Sequence, residues 1–438
     1  MSLVVESKYE LVNAKKYLSL ETGKRPLSEV TDNPEDIPSL GGENISEEGF
    51  LKFDNLRYIS KEYFEKTIKG KIKNYQILMN KDGAQTGKIA FVENFKFEKA
   101  MINEHVFIIT SSEEFNNKFV FYYLLSHNGM KQVKSKIVGS AQGGLSNGFF
   151  KGILLPKPEL PIQDKIADVL SLVDNNIEQT KKVIEKAEKL KKSMMQNLLT
   201  GRMKPDGTYR KNEELKETIV GEIPKSWKLI KAKDFCSFVT DGTHDTPKPT
   251  SAGFKLLTSK NLTGKGIDLS DSYFISEKDY TQVNKRSKVE KYDVLYGMIG
   301  TIGNPEIVLF DEVNFAIKNV GLFKMDKQEH KSFWLKCYLD STAYSNYVRK
   351  MTAGTTQSFV GLGFLRKILI PTPFIDNKIN MDEIINISSK LKVAELKLIE
   401  SRNKLQSLEK LKKSLMQNLL TGKIEIPENL TIKQGVVA

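Results

Sequence analysis

Cysteine and histidine are scarce in this chain of 438 residues, which has 2 cysteines and 4 histidines. Cys236 and Cys337 are too few and too isolated for a disulfide framework or a cysteine-based zinc site. The histidines lie far apart in the sequence, without metal-ligand spacing or a carboxylate partner; they are His105, His127, His244 and His330. We therefore predict neither a metal site nor a cofactor.

Long apolar runs are also missing. None approaches the roughly 18 residues that a membrane helix needs, and the first residues, MSLVVESKYE, lack the pattern of a signal peptide. The cytoplasm is the expected compartment. The composition, 39% hydrophobic and 28% charged, is typical of a globular protein. A chain of this length exceeds one hydrophobic core, so we expect two or three domains.

Catalytic motifs are absent as well. The segment Gly83–Lys88, GAQTGK, resembles a phosphate loop, but its spacing is wrong and Ile89 stands where Ser or Thr would bind magnesium. A turn between paired strands is the better interpretation. There is no nucleophile elbow. The glycine loop and the Asn- or Asp-Pro-Pro-aromatic segment of adenine methyltransferases are missing too, and Asn304-Pro305-Glu306 is only a distant approach. The sequence thus indicates a binding protein.

Acidic residues are outnumbered by basic ones, which gives a formal net charge of +13. An excess of Lys and Arg favours a polyanionic partner, most commonly nucleic acid. Lysine is frequent throughout the chain, so general lysine-rich usage is an equally good explanation of the charge alone.

An internal repeat is the strongest positive signal. Glu188–Gly201 reads EKLKKSMMQNLLTG, and Glu409–Gly422 differs from it at one position. Upstream, Gly, Pro and apolar residues of 139–158 recur at a constant spacing in 354–373, whereas the polar residues between them differ. This pattern predicts a duplicated module, and hence near two-fold symmetry within one polypeptide. The two copies share a scaffold and carry different surfaces.

Each half consists of a mixed globular part followed by a long helix, which makes the fold class α+β. Short β-like runs with Gly turns fill the globular parts, and 119–125 and 333–339 are predicted to be short helices. Pro-x-Pro pairs end each globular part. Five heptads with apolar a and d positions follow, and Gly201 and Gly422 occupy C-cap positions. Each helix should have roughly 37 residues and a length of about 55 Å.

The two helical seams are of equal length, so the simplest arrangement is an antiparallel coiled coil of one helix with the other. The alternative is that each seam binds a different protein. The predicted division of the chain is as follows: 1–158, first globular domain; 159–203, first helical spacer; 204–221, linker; 222–373, second globular domain; 374–422, second helical spacer; 423–438, C-terminal tail.

Variable globular parts alternating with nearly identical helices resemble the DNA-specificity subunits of type I restriction–modification systems. The resemblance covers nearly the whole chain and includes the Pro-rich lead Ile153–Ile166 with its Gln163, and the helix ends QNLLTG. Phe374–Ile379, the corresponding segment of the second half, departs from this Pro-rich pattern because it lacks the pairing of an acidic residue with a glutamine. No single short motif is specific, and the architecture carries the resemblance.

The resemblance implies a non-catalytic subunit with two target-recognition domains, each bound to one half of a bipartite, asymmetric site in double-stranded DNA. It implies that the helices set the unread spacer and dock two modification subunits, which carry the methyl-transfer chemistry. Restriction subunits, which carry translocation and cleavage, are the further partners implied. Because both helices would bind the same partner, their near-identity is explained.

Candidate DNA contacts are Lys, Arg, Gln, Thr and His residues in loop-like segments, since phosphates attract basic side chains and bases are recognised by hydrogen-bonding ones. In the first globular domain these are Lys24, Arg25, Lys81, Gln85 and Gln142. In the second they are Thr243, His244, Lys248, Arg286, Lys288 and Gln357. Gln142 and Gln357 recur in both halves, which favours a scaffold role for this pair.

Two other functions remain open at this point. One is a coiled-coil assembly protein without DNA sequence specificity, and the other is an enzyme fragment that has lost its catalytic part. Site preference for DNA separates the first from a specificity subunit, and methyl transfer by the isolated chain would indicate the second.

Overall fold

The computed structural model describes residues 7–26, 29–139, 143–351 and 360–427. The chain divides into two compact units. The first unit comprises Met1–Lys181 and Lys404–Ala438, and the second comprises Lys182–Asn403. Each unit therefore contains one globular part and a piece of each long helix.

The described residues of the first unit form ten strands. They are β1 (Leu11–Asn13), β2 (Leu18–Thr22), β3 (Val30–Thr31), β4 (Ile37–Leu40), β5 (Arg57–Ile59), β6 (Ile77–Asn80), β7 (Ile89–Phe91), β8 (Met101–Ile102), β9 (Val106–Ser111) and β10 (Leu154–Pro156). One antiparallel sheet has the order β2-β9-β6-β7, and a second has the order β3-β5-β4-β8 with β4 and β8 parallel. Strands β1 and β10 pair, which joins the start of the globular part to its end.

The helices of this half are α1 (Lys61–Lys66), α2 (Asn117–Leu125), α3 (His127–Lys134) and α4 (Leu160–Leu198). Helix α2 confirms the helix predicted at 119–125 and packs its buried aromatic residues into the core of the unit. The predicted turn at Gly83–Lys88 is confirmed, because it joins the antiparallel strands β6 and β7. Gly83 and Gly87 have φ angles of +82° and +88°, a conformation that favours glycine.

The second unit contains the strands β11 (Leu215–Lys216), β12 (Ile223–Pro224), β13 (Lys228–Lys231), β14 (Phe238–Asp241), β15 (Phe254–Leu257), β16 (Tyr273–Ile275), β17 (Val294–Gly297), β18 (Gly303–Ile307), β19 (Phe315–Ile317), β20 (Val320–Lys324), β21 (Leu369–Thr372), β22 (Phe374–Ile375) and β23 (Lys378–Ile379). Its helices are α5 (Ala232–Phe235), α6 (Glu277–Ser287), α7 (Glu329–Leu339), α8 (Thr342–Met351), α9 (Leu362–Lys367) and α10 (Met381–Leu419).

The sheets of the second unit repeat those of the first. The order β14-β20-β17-β18 corresponds to β2-β9-β6-β7, and β16-β15-β19 corresponds to β5-β4-β8, again with one parallel pair. Strands β13 and β21 pair as β1 and β10 do. The predicted duplication is thus confirmed at the level of strand order and direction. Strand β3 has no counterpart among the described residues of the second unit.

The two long helices have 39 residues each, slightly more than the predicted length. Gly201 and Gly422, which follow them, have φ angles of +67° and +69°, as expected of C-cap glycines. In the first unit, the start of α4 and the end of α10 share one hydrophobic core. In the second unit, the end of α4 and the start of α10 do so. The helices therefore pair antiparallel within each unit, as predicted.

Gln163, in the first turn of α4, is fully buried. Its side-chain oxygen accepts from the Asn116 N–H at 3.0 Å, and its amide donates to the Glu114 and Pro158 carbonyls at 3.1 and 2.9 Å. The residue that marks the Pro-rich lead in the sequence thus joins α4 to the loop before α2. All three of these side-chain hydrogen bonds lie within the first unit.

A largely buried ion pair lies between the long helices at the same repeat position in each unit. In the first unit, Lys412 Nζ is 2.6 Å from Asp174 Oδ1, and the Tyr122 hydroxyl donates to Asp174 Oδ2 at 2.9 Å. In the second unit, Lys191 pairs with Glu395. Lys191 and Lys412 are the same lysine of the repeated EKLKKS segment. The repeated segment thus supplies the lysine of the interhelical ion pair in both units.

The pair in the second unit should make its stability sensitive to acid. Burial alone would raise the pKa of Glu395, but Lys336 and Lys191 hold this pKa below the ordinary glutamate value. A lowered folded-state pKa contributes stability above the unfolded value of about 4.3, and this contribution is lost as pH falls through the folded pKa. We expect the difference in melting temperature between the parent and the Glu395→Gln variant to shrink progressively as pH falls below about 4.3. A gap that stays constant in a thermal-melting series across pH would contradict this.

Candidate nucleic-acid interface

The first candidate loop, 23–26, leaves β2 and is fixed against the turn after β8. A Cβ built on Gly23 would lie 2.5 Å from the Ile102 carbonyl oxygen and 2.6 Å from the Asn103 carbonyl carbon, so only glycine fits. Lys24 and Arg25 follow with exposed side chains. The close approach of the two backbones therefore determines where these two basic side chains emerge.

Arg25 belongs to a chain of charged groups on this surface. Its Nε lies 3.6 Å from Glu104 Oε1, which is 3.5 Å from His105 Nε2. His105 Nδ1 is in turn 2.6 Å from Asp82 Oδ1, so the expectation that the histidines lack a carboxylate partner is wrong for His105. The structure thereby brings the loop after β2 together with the turn before β9 and with the residues that follow β6.

Lys81 and Gln85 lie on the connection between β6 and β7. Lys81 is half-buried; its N–H donates to the His105 carbonyl at 2.7 Å and its Nζ lies 5.8 Å from the centre of the Phe107 ring. Gln85 is exposed at the turn. Gln142 lies outside the described residues. The structure therefore places Lys81 next to His105, one of the residues linked to Arg25 through Glu104.

A polar cavity of about 260 Å³ opens beside Arg25. Arg57, Asn103 and His105 also line it, and none of these three was selected from the sequence. Arg57 is 71% exposed, with its Nε 3.9 Å from Glu43 Oε1. Arg57 lies on β5 and Asn103 in a turn, so only the fold brings them together. These side chains extend the set of candidate DNA contacts.

In the second unit the loop after β14 has the same backbone constraint. A Cβ on Gly242 would lie 2.5 Å from the Ile317 carbonyl carbon and 2.9 Å from the Lys318 nitrogen. Thr243 donates its N–H to the Ile317 carbonyl at 3.0 Å and accepts from the Asn319 N–H at 3.1 Å. The loop is thus tied to the end of β19, as the loop after β2 is tied to the end of β8.

Asp241 organises the side chains around this second loop. Its carboxylate is 3% exposed, with Oδ1 accepting from Arg286 Nη2 and Oδ2 lying 3.1 Å from His244 Nε2. His244 Nδ1 is 2.8 Å from Asn319 Oδ1. A buried carboxylate needs such partners to offset its lost hydration. The structure therefore brings Thr243, His244 and Arg286 together around a carboxylate that the sequence did not single out.

The remaining described candidates of this unit are Lys248 and Lys288, which are exposed. Lys248 is exposed in the same loop, and Lys318 donates to the Thr246 hydroxyl. Lys288 is exposed just after α6, and its carbonyl accepts from Lys324 Nζ at 3.2 Å. Gln357 lies outside the part of the chain that the structure describes.

These surfaces present hydrogen-bond donors and cationic groups, which suit phosphate oxygens and base edges. In the described ranges, no group of three or more His, Cys, Asp or Glu side chains is arranged to hold a metal ion. Cys236 and Cys337 are buried and free. Among the same residues, no helix is both long and apolar enough to cross a membrane.

Comparison with known proteins identifies related sequences. Residues 7–189 match a family described as the type I restriction modification DNA specificity domain. The type I restriction enzyme MjaVIII specificity subunit of Methanocaldococcus jannaschii is 24% identical over 438 residues, covering 97% of this chain and 95% of the relative. The EcoBI specificity subunit of Escherichia coli is 24% identical over 294 residues, covering 64% and 60% of the two chains.

The fold has a counterpart among solved structures. The crystal structure of the type I restriction-modification system S subunit from M. genitalium superposes with a TM-score of 0.62 at 14% sequence identity, covering 96% of this chain and 98% of that one. This similarity supports the fold alone, with its mixed globular parts and two long helices. Residues 7–189 thus match the type I restriction modification DNA specificity domain, and the chain is similar over 97% of its length to a specificity subunit of a type I restriction enzyme.

Proposed function

We propose that this chain is the sequence-specific DNA-binding subunit of a type I restriction–modification complex and that each globular part recognises one half of a bipartite, asymmetric site. The observation that carries the proposal is the loop after β2 and its counterpart after β14. Both loops begin with a glycine pressed against an equivalent strand end, yet one presents Lys24 and Arg25 and the other presents Thr243 and His244. Equivalent positions with different hydrogen-bonding side chains suit recognition of two different half-sites.

The proposed domain division follows the same logic: 1–158 and 222–373 as target-recognition domains, 159–203 and 374–422 as helical spacers, 204–221 as linker and 423–438 as tail. The relatives are named as specificity subunits of restriction enzymes. On that basis we propose that the chain itself is non-catalytic. It would assemble with two modification subunits and with restriction subunits in the cytoplasm.

The near-identical helix ends support the assembly role. Glu188–Gly201 and Glu409–Gly422 expose many polar side chains, so their similarity exceeds what the helix seam requires. A common partner docking on both copies accounts for this similarity. A coiled-coil assembly protein without DNA specificity would share this feature, but it would not need different loops on matched strand ends.

Selection from a randomised duplex library tests the proposal. The full chain, assembled with its modification subunits, should enrich a motif with two specified parts separated by unspecified base pairs. Methylome sequencing of cells that carry the complex should give the same motif. Enrichment of a single uninterrupted motif, or of no motif, would contradict the proposal. Because phosphate contacts contribute strongly, the selection needs moderate salt, where non-specific binding is weak.

A further inference from the structure

The second unit holds an exposed arginine on a buried carboxylate. Arg286 lies in the last turn of α6 and is 58% exposed, whereas its partner Asp241 is 3% exposed. Within the described ranges, this contact through Nη2 is the only hydrogen bond that the Arg286 guanidinium makes. One edge of the guanidinium is therefore fixed to the protein, and its other N–H groups face solvent.

This arrangement suits recognition better than stabilisation. A free arginine on a surface loses side-chain entropy when it binds, whereas one already held by a carboxylate loses less. Asp241 is itself fixed, because it ends β14 and also contacts His244 Nε2 at 3.1 Å. The pair is thus a rigid donor group on the surface where Thr243 and His244 also lie.

Resting on the proposed function, we propose that Arg286 recognises a guanine in the half-site bound by the second globular part, with Asp241 as its positioning residue. A guanidinium presents paired donors in one plane, which match the O6 and N7 acceptors of guanine in the major groove. Cytosine, adenine and thymine do not present two acceptors at these positions. Arg286 therefore specifies one base.

Among its described residues, the first unit has no such arginine–carboxylate pair at the equivalent position, and we therefore assign the guanine to one half of the site. Thr22 ends β2 at the position where Asp241 ends β14, each directly before the glycine that is pressed against the neighbouring strand end. Glu21, the nearby carboxylate, accepts from the Gly70 backbone N–H instead. Helix α1, which lies where α6 lies in the second unit, contains no arginine. We expect no arginine-dependent guanine of this kind in the other half-site.

The test measures base preference with the full chain in complex with its modification subunits, using duplexes randomised over the whole site. Arg286→Lys retains the positive charge and removes the planar guanidinium with its paired donors. Asp241→Asn retains the shape of the side chain and removes the negative charge that holds Arg286. Both should lower the preference for one guanine in one half-site roughly tenfold or more. The base preferences in the other half-site should be unchanged. Lys285→Gln, at the exposed neighbouring position of α6, is the matched control and should leave the motif unchanged.

A melting curve on the same samples separates recognition from folding. If Asp241 and Arg286 form only a structural pair, the variants melt at a lower temperature but retain every base preference, and the inference is overturned. A uniform loss of affinity for all sequences would also overturn it, because that is the signature of a phosphate contact. If the parent protein enriches no motif, the proposed function itself fails, whatever the variants do.

Discussion

The Gly242→Ala variant is expected to lose recognition of one half of the DNA site while the other half is still recognised. The added Cβ would lie 2.5 Å from the Ile317 carbonyl carbon and 2.9 Å from the Lys318 nitrogen, and both are backbone atoms. Neither can turn away as a flexible side chain does. The loop that carries Thr243 and His244 must therefore shift as a whole, and several base contacts are misplaced together. At about 1–3 kcal/mol for each misplaced contact, we expect roughly a hundredfold loss of affinity.

Gly23→Ala is the matched experiment in the first unit, where the Cβ would lie 2.5 Å from the Ile102 carbonyl oxygen. It should impair the opposite half of the motif. Gly148→Ala and Gly361→Ala are controls, because a Cβ at either position meets no described atom within 4 Å. Selection-and-sequencing of all four variants gives the result directly. If Gly23→Ala and Gly242→Ala damage the same half of the motif, the assignment of one half-site to each unit is wrong.

The second large effect is expected from breaking the buried ion pair of the first unit. Lys412→Met leaves Asp174, whose side chain is 10% exposed, with the Tyr122 hydroxyl as its remaining hydrogen-bond partner among the described residues. An unpaired buried carboxylate costs about 3–5 kcal/mol of folding free energy. For a unit of this size that corresponds to a decrease of roughly 10 °C in melting temperature. Calorimetry can detect this as a downward shift of one transition.

The double variant Asp174→Leu with Lys412→Met tests the physical reason. Replacing both partners by apolar side chains removes the unpaired charge, so most of the lost stability should return. Lys413→Met, one residue away at an exposed position, controls for the loss of a lysine. A double variant as unstable as the single one would show that packing, rather than the charge, is the source of the effect.

The repeated features of the fold could be predicted from the sequence because they are encoded locally. The Gly–Pro pattern, the heptads and the C-cap glycines depend on backbone conformation and on the periodicity of one segment. They predicted two equivalent globular parts, a turn at Gly83–Lys88 and two long antiparallel helices. The strand order, with its parallel pair in each unit, could not be derived because it depends on contacts between distant segments.

The candidate interface was less predictable for the same reason. Arg286 and His244 were selected as basic or polar loop residues, but their common partner Asp241 is distant in sequence from Arg286 and looks like an ordinary strand-end residue. The cavity beside Arg25 depends on Arg57 and His105, which come from different strands and turns. Conversely, Gln163 stood out as a feature of the family, and its amide is used to fix the start of α4.

The way the two units are assembled from segments of the chain has a consequence for folding during synthesis on the ribosome. The second unit is one continuous segment, Lys182–Asn403, so all of its residues are translated before Lys404–Ala438. The first unit needs Lys404–Ala438, and within it the Lys8 N–H donates to the Thr421 carbonyl at 2.8 Å while Met416 and Leu419 enter the hydrophobic core. We therefore expect the first unit, most of which is translated first, to finish folding last. Until then the nascent chain would expose the apolar surface that the end of α10 covers.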